Sequence, residues 1–374
     1  MRLERIAIVP APSTAVAQFG VVTAVYGNTM VVSALNIGIS DETECFVYFY
    51  QRNNGGTWEL KQTVAATDVT DKTGVIAFGT SLAIYENYVV IGQSNTNTDP
   101  GEVHIFIRGN DGTWTFKETL TGDDNDDKYG AACSIYGNNL LVGAYQGTNA
   151  AAAQTGAAYW YCRGNDGTFK RVYKRLGEDN TSQYGGRNVS LSGNYAAVSA
   201  NALDTPGRTA SGRIYLYTRD NNGDWEEVGT DDGTANNMFF GISGVNVYKN
   251  FVVTSSNQAG GGAGILVTGN RNNSGEWKRA HVIEGSSGAE ALGGASGLYG
   301  NFVYSITGQD PADNNNCLLT LYNRDSEGNL EVIGTATFPT TAATINPWGS
   351  DIHGNYIVVG AEQDQEVFVY QYKN

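Results

Sequence analysis

The chain of 374 residues is poor in charged residues, cysteine and histidine, and it contains no long apolar run. Charged residues make up 16% of it, against about 25% in an ordinary globular protein, while glycine is abundant, with 48 residues. A sequence that is short of lysine and glutamate and often interrupted by glycine forms helices poorly. Helix bundles and coiled coils are therefore excluded, and the chain reads as all-β.

Two further absences limit the partners. The net charge is −15 with no cluster of lysine or arginine, so the chain should repel nucleic acid and anionic lipid surfaces. No run approaches the roughly 18 apolar residues of a membrane-spanning helix, so we expect no membrane insertion. Hydrophobic residues nevertheless make up 41%, which supplies a core and excludes disorder.

What the sequence does contain is a repeat of about 53 residues. Each unit opens with an aromatic or apolar residue followed by glycine, and in most units a second aromatic follows about seven residues later, before a tight polar turn and an apolar run such as VVIGQ from Val89. The opening pairs are Phe19-Gly20, Phe78-Gly79, Tyr129-Gly130, Tyr184-Gly185, Phe240-Gly241, Leu292-Gly293 and Trp348-Gly349. This half of each unit predicts two strands joined by a hairpin.

The second half of each unit predicts two more strands. An alternating strand such as EVHIFIR from Glu102 leads into a turn rich in Gly, Asn and Asp, and then into a strand that opens on an aromatic residue. The opening aromatics are Trp58, Trp114, Phe169, Trp225 and Trp277. Four antiparallel strands in each of seven units predict a seven-bladed β-propeller, with blades starting near residues 19, 78, 129, 184, 240, 292 and 348, as one domain over 1–374.

The last unit ends after three strands, so its fourth strand must come from elsewhere. Residues 3–9, LERIAIV, alternate suitably and precede the first repeat. We predict that they complete blade 7 and close the ring, which removes two exposed sheet edges. A basic start and an A-x-A-like end give Met1–Ala17 a superficial resemblance to a secretory signal, but two prolines interrupt its apolar stretch.

The stretch from Phe78-Gly79 to Gly92, with the downstream Gly112-Thr-Trp element, resembles the FG-GAP repeats of integrin α-chain propellers and of many surface proteins. The resemblance covers residues 19–374 and implies a non-catalytic interaction or adhesion module at a cell surface or in an assembly. The "GAP" element survives as Val-Gly-Ala at 142–144 and 359–361. The D-x-D-x-D-G calcium loops of that family are absent, so we expect no metal, no other cofactor and a fold that does not require calcium.

The remaining residues indicate no catalytic site. The three histidines, His104, His281 and His353, have no metal-ligand spacing and are interpreted as structural or surface residues. The four cysteines fall on strands too far apart for disulfides, so thiols are expected. The acidic loop Asp123–Asp127 is either a solvated turn or a cation site. We therefore predict that the protein is not an enzyme.

Function should concentrate on the long loops between second and third strands and between blades, because the other connections are short and uniform. Candidate binding residues on that long-loop face are Asp124, Asp126, Asp204, Arg208, Asp310 and Asp313. The expected ligand is a protein or a glycan. A lectin-like propeller is the first alternative function, and an enzyme with an unrecognised site is the second. The family resemblance favours an extracellular or surface location.

Overall fold

The computed structural model describes residues 2–12, 18–35, 45–69, 77–94, 100–123, 127–147, 155–179, 182–185, 188–272, 275–286, 290–308, 316–339, 349–362 and 364–373. Within these ranges lie 28 strands, one 3₁₀ turn (Ala66–Asp68) and one short helix, α1 (Ala259–Gly262). The strands are β1 (Arg2–Pro10), β2 (Phe19–Tyr26), β3 (Thr29–Ala34), β4 (Phe46–Arg52), β5 (Trp58–Ala65), β6 (Phe78–Tyr85), β7 (Tyr88–Gln93), β8 (Glu102–Arg108), β9 (Trp114–Thr121), β10 (Tyr129–Tyr136), β11 (Asn139–Ala144), β12 (Ala157–Arg163), β13 (Phe169–Leu176), β14 (Val189–Ser192), β15 (Tyr195–Ala200), β16 (Arg213–Arg219), β17 (Trp225–Asp232), β18 (Gly244–Tyr248), β19 (Phe251–Ser256), β20 (Ile265–Arg271), β21 (Trp277–Glu284), β22 (Ala295–Tyr299), β23 (Phe302–Ile306), β24 (Asn316–Arg324), β25 (Leu330–Pro339), β26 (Ser350–His353), β27 (Tyr356–Ala361) and β28 (Glu366–Lys373).

The strands form seven four-stranded antiparallel sheets, which are the blades of a seven-bladed β-propeller, as the repeat predicted. Blades 1 to 6 take their strands in chain order, from β2-β3-β4-β5 to β22-β23-β24-β25. Blade 7 has the order β1-β28-β27-β26. The innermost strands are β2, β6, β10, β14, β18, β22 and β26.

The ring closes through the N-terminal strand, and this prediction is confirmed. β1 pairs antiparallel with β28 from Arg2↔Lys373 to Pro10↔Glu366, with one irregularity between Arg5 and Ala7. Leu3 packs in the core between blades 6 and 7. The contact covers the edge of β28 that would otherwise be left unpaired.

The core lies between neighbouring blades, and the repeated aromatic–glycine pairs explain how closely the blades approach. The aromatics of the first five pairs are completely buried. The glycine of each of several pairs meets a glycine in the second strand of the preceding blade, because backbone contacts backbone there. A Cβ built on Gly360 would lie 1.9 Å from the Gly20 carbonyl oxygen, and one on Gly143 would lie 1.9 Å from that of Gly185. Only glycine fits these positions without a shift of the blades.

The two-residue turns between first and second strands are short for a local reason. Their first residue is glycine at positive φ in five blades, as at Gly27 with φ 58°. This is the backbone that a tight hairpin requires. Among the described residues, no helix is long and apolar enough to cross a membrane.

Candidate functional site

A cavity of about 330 Å³ lies on the propeller axis. All seven innermost strands line it, and each ends at the mouth where the two-residue turns lie, which we call the short-turn mouth. A cavity of this size accepts a small metabolite. The axial channel is therefore the place to look for chemistry.

Polar side chains on the innermost strands tie several blades to the next. The hydroxyl Oγ of Ser134 in blade 3 accepts a hydrogen bond from the Leu191 N–H of blade 4 at 3.0 Å. Ser190 in blade 4 does the same for the Val247 N–H of blade 5, also at 3.0 Å. These hydroxyls satisfy N–H groups on strand edges that have no sheet partner on the channel side. A small neutral side chain is sufficient for this task.

Asp351 occupies the corresponding place between blade 7 and blade 1. Its Oδ2 accepts from the Val25 N–H at 2.8 Å, and its Oδ1 accepts from the Ile352 N–H at 2.8 Å. It is the only charged side chain in the described innermost strands. Burial raises its pKa to about 7, although the two N–H groups act in the opposite direction. A carboxylate in a position that serine fills elsewhere is costly to the fold.

His353 follows two residues later and ends the same strand. Its Nδ1 accepts a hydrogen bond from the Gly27 N–H at 3.0 Å, so the neutral ring carries its proton on Nε2. Burial lowers its pKa below the ordinary value, so the ring is neutral at neutral pH. The ring packs between Tyr26 and Tyr299, with centroids 4.1 and 4.5 Å away.

Asp351 and His353 point to the same side of β26, because alternate residues of a strand share a face. Such residues are roughly 7 Å apart along the strand. This spacing leaves room for a water molecule and a reacting group between a carboxylate near its pKa and an N–H donor. The arrangement can remove a proton from water and stabilise a developing negative charge.

A buried tyrosine supports the start of this strand. The Tyr304 hydroxyl donates to Ser350 Oγ at 2.9 Å, and burial raises the pKa of Tyr304 far above its ordinary value. Its ring occupies the space beside Gly297, where a Cβ would lie 2.3 Å from the ring. Gly297 thus lets Tyr304 fix the residue that precedes Asp351.

The short-turn mouth is surrounded by aromatic rings, which we call the tyrosine collar. Its members, the last residues of six innermost strands, are Tyr136, Tyr85, Tyr26, His353, Tyr299 and Tyr248, in contact order. Successive ring centroids are 4.1 to 5.7 Å apart. Ser192 of blade 4 takes the seventh position and interrupts the collar.

Of the loop residues predicted from the sequence to bind a ligand, two, Asp204 and Arg208, lie in the part of the chain that the structure describes. Asp204 Oδ1 accepts from the Ala210 N–H of its own loop at 2.7 Å, and Arg208 Nε donates to the Thr234 carbonyl at 2.9 Å, which joins this loop to the connection between blades 4 and 5. Four further candidates lie outside the described residues: Asp124, Asp126, Asp310 and Asp313. Their role in binding stays a prediction.

Metal ligands do not cluster either. Among the described residues, no group of three or more His, Cys, Asp or Glu side chains is placed to hold a metal. His104 and His281 lie on strands β8 and β21 and bind Thr119 and the Leu330 N–H, respectively. Cys133 lines the channel, where burial raises its pKa to about 12, so it is a protonated thiol rather than a nucleophile.

The sequence interpretation missed both channel residues. His353 was interpreted as an ordinary structural or surface residue, and Asp351 was not among the candidates. The signal was present at the ends of the first strands, where five blades have tyrosine and blade 7 has histidine. The second departure from the repeat was Asp351, an acidic residue in the first strand of blade 7.

No protein-family model matches the chain, and no curated protein matches it. Among solved structures, the chain is similar to the periplasmic gluconolactonase PpgL of Pseudomonas aeruginosa, with a TM-score of 0.51 over 84% of each chain. The sequence identity is 12%, so this similarity shows the propeller fold alone.

These comparisons correct the functional predictions. An enzyme of similar fold contradicts two of them: the prediction of a non-catalytic FG-GAP-type interaction or adhesion module, and the prediction that the protein is not an enzyme. The resemblance behind them has no matching family model, and the solved propeller of similar fold is an enzyme. The physical reason for the error is that charged residues were sought in loops, whereas the desolvated carboxylate lies in the channel wall.

Proposed function

We propose that the protein is a hydrolase that opens a small lactone in its axial channel, with Asp351 as general base. The observation that carries the proposal is the position of this carboxylate: it lines the channel, has a pKa of about 7, and stands where serine suffices in two other blades. A base is most effective when its pKa is near the working pH.

The reaction follows from the geometry of Asp351 and His353. Each carboxylate oxygen keeps a free lone pair beside its backbone hydrogen bond, so Asp351 can accept a proton from a water molecule. The water oxygen then attacks the lactone carbonyl carbon, and the His353 Nε2–H stabilises the oxygen that becomes negative. The ring C–O bond breaks, Asp351 returns the proton to the leaving oxygen, and a hydroxy acid results.

The choice of a lactone is supported by two observations. The solved propeller of similar fold is a gluconolactonase, and the cavity of about 330 Å³ suits a molecule of that size. The hydroxyls of the tyrosine collar offer hydrogen bonds to a polyhydroxylated ring.

Membership of the FG-GAP family is a separate hypothesis. Its support is the phase of seven aromatic- or apolar-glycine pairs along the chain. We infer no activity from it.

The test is hydrolysis of gluconolactone. The rate of acid release is measured and compared with the spontaneous rate in the same buffer. We expect the wild-type protein to accelerate the reaction, with kcat/KM rising as pH increases through about 7, because the base must be ionised. Asp351→Ser should lower kcat by about 10²- to 10⁴-fold.

The matched control is Ser134→Ala, which removes the equivalent side-chain contact in a seam without a carboxylate. It should retain full activity. A wild-type rate equal to the buffer rate, or an Asp351→Ser variant as active as the wild type, would overturn the proposal.

A further inference from the structure

The turn between first and second strands has two exceptions to its glycine rule. Its first residue is glycine in five blades, but Glu86 in blade 2 and Lys249 in blade 5 adopt the same left-handed backbone, with φ of 52° and 55°. Non-glycine residues are rare in this region because it crowds their Cβ. Backbone strain of this kind is a guide to function when nothing in the fold requires it.

Nothing in the described turns requires a side chain at this position. A Cβ built on the five equivalent glycines, such as Gly27 or Gly137, would have no atom within 4 Å among the described residues. Glu86 and Lys249 are exposed accordingly. Glycine would therefore serve the fold at least as well at both places.

Glu86 lies at the short-turn mouth beside two members of the tyrosine collar. Burial and then the Glu86 carboxylate raise the pKa of Tyr26. Burial, Tyr136 and Glu86 raise that of Tyr85 to about 12. Both hydroxyls are thus neutral and within the electrostatic reach of the carboxylate.

The carboxylate has no cationic partner in the described part of the chain. Arg108, at the end of β8, lies beside the turn, with its N–H bonded to the Asn87 carbonyl, but its guanidinium lies 5.9 Å over the Trp114 ring. Lys249 belongs to blade 5. Its Nζ lies 5.7 Å over the ring of Tyr248, which is the collar member next to Ser192.

The two collar rings nearest to Glu86 are packed against other rings of the collar. The rings of Tyr26 and Tyr85 lie 5.2 Å apart, Tyr26 also packs on His353, and Tyr85 also packs on Tyr136. Each of the two rings therefore has a neighbouring ring on two sides, tilted by 35° to 57°, so little of either face is open to a cation. The groups that remain available are hydroxyl oxygens, which accept hydrogen bonds, together with the Glu86 carboxylate.

We propose that Glu86 and the hydroxyls of Tyr26 and Tyr85 bind the primary ammonium group of a small amine at the short-turn mouth. A primary ammonium donates three hydrogen bonds, and this set offers a carboxylate and two neutral oxygens to receive them. A quaternary ammonium donates none and depends on open aromatic faces, which the packed collar does not provide. The site does not depend on the proposed hydrolase activity.

The experiment is calorimetric titration of the full chain with butylammonium chloride and with tetramethylammonium chloride, at neutral pH and fixed ionic strength. We expect saturable binding of butylammonium and binding of tetramethylammonium weaker by about fivefold or more. Glu86→Gln and Glu86→Gly should each weaken butylammonium binding by about fivefold or more.

Lys249→Gly is the matched control, since it relieves the same backbone strain in another blade. It should leave the affinity for butylammonium unchanged or higher. Neither glycine variant should lower the Tm, because the left-handed backbone suits glycine. Absence of saturable butylammonium binding, unchanged affinity in Glu86→Gln, or equal binding of tetramethylammonium would overturn the proposal.

Discussion

The seam between blades 7 and 1 and the seam between blades 3 and 4 solve the same structural problem with different chemistry. In the 3–4 seam, the Ser134 hydroxyl accepts the Leu191 N–H at 3.0 Å. In the 7–1 seam, the Asp351 carboxylate accepts the Val25 N–H at 2.8 Å. Both bonds join one innermost strand to the next. Only the second bond introduces an ionisable group. Burial disfavours the charged form of this group and raises its pKa to about 7.

In a repeat protein, a candidate site is marked by the residues that depart from the repeat. In the 3–4 and 4–5 seams, a neutral hydroxyl at this position provides the acceptor at little cost. A carboxylate provides the same acceptor and adds an ionisation near neutral pH. The departure from the repeat therefore points to chemistry, whereas the shared hydrogen bond points to assembly.

The largest expected effect comes from the strand that completes blade 7. Deleting residues 2–10 exposes the edge of β28 and removes Leu3 from the core. We expect the Tm to fall by more than about 10 °C, measured by circular dichroism. Leu3→Ala should cost about 2 kcal/mol or more and serves as the milder comparison. A deletion variant that melts like the wild type would show that ring closure does not stabilise the fold.

The same measurement addresses the domain prediction. Residues 1–374 are predicted to be one domain, and this stays a prediction. If the prediction is right, the loss of β1 should either abolish the unfolding transition or shift the whole transition to a lower temperature. Separate transitions, with some unaffected by the deletion, would argue against it.

Packing of the two seams should be equally intolerant of a methyl group. Gly360→Ala and Gly143→Ala each place a Cβ 1.9 Å from a backbone oxygen of the next blade. We expect each to lower the free energy of unfolding by about 3 kcal/mol, from chemical denaturation. A cost confined to one of them would mean that the two seams differ in packing and not only in charge.

Asp351→Ser makes the 7–1 seam resemble the 3–4 seam. Since the folded pKa of Asp351 is raised from 3.8 to about 7, its penalty is absent below pH 4 and grows as pH rises to about 7. The variant should therefore gain stability relative to the wild type over this range, by about 2 to 4 kcal/mol. Unfolding at pH 4, 5.5, 7 and 8 measures it. A difference independent of pH would refute the raised pKa.

His353→Phe keeps the ring between Tyr26 and Tyr299 and removes both nitrogens. The Gly27 N–H loses its acceptor, so we expect a loss of about 1 kcal/mol of stability. In the proposed reaction, the rate should fall by about 10- to 100-fold because the Nε2–H donor is gone. Ser134→Ala, which also deprives a backbone N–H of its acceptor, is the control and should change the rate little. Equal rates in wild type and His353→Phe would remove His353 from the mechanism.

The fold could be predicted from the sequence because its signals repeat. The aromatic–glycine pairs, the Gly/Asn turns and the opening tryptophans each occur several times in phase, so seven weak signals combine into one architecture. The missing strand of blade 7 followed from counting strands, and the pairing of β1 with β28 confirmed it.

The candidate site could not be predicted in the same way, because it consists of exceptions to the repeat. The pKa of Asp351 depends on burial in the channel wall, which no local pattern reports. The role of His353 depends on a bond to Gly27, which is 326 positions away in the sequence. A position-by-position comparison of the seven first strands would have marked both residues, but not the cavity between them.

The raised pKa of Asp351 is tested most directly by carbon NMR, which follows the titration of the Asp351 carboxyl in protein labelled at its aspartate carboxyl groups. We expect one carboxyl resonance with a midpoint near pH 7, and that resonance should be missing from the spectrum of Asp351→Ser. If every aspartate titrates below about pH 5, the carboxylate is an ordinary one. The 7–1 seam would then differ from the 3–4 seam only in the identity of its acceptor.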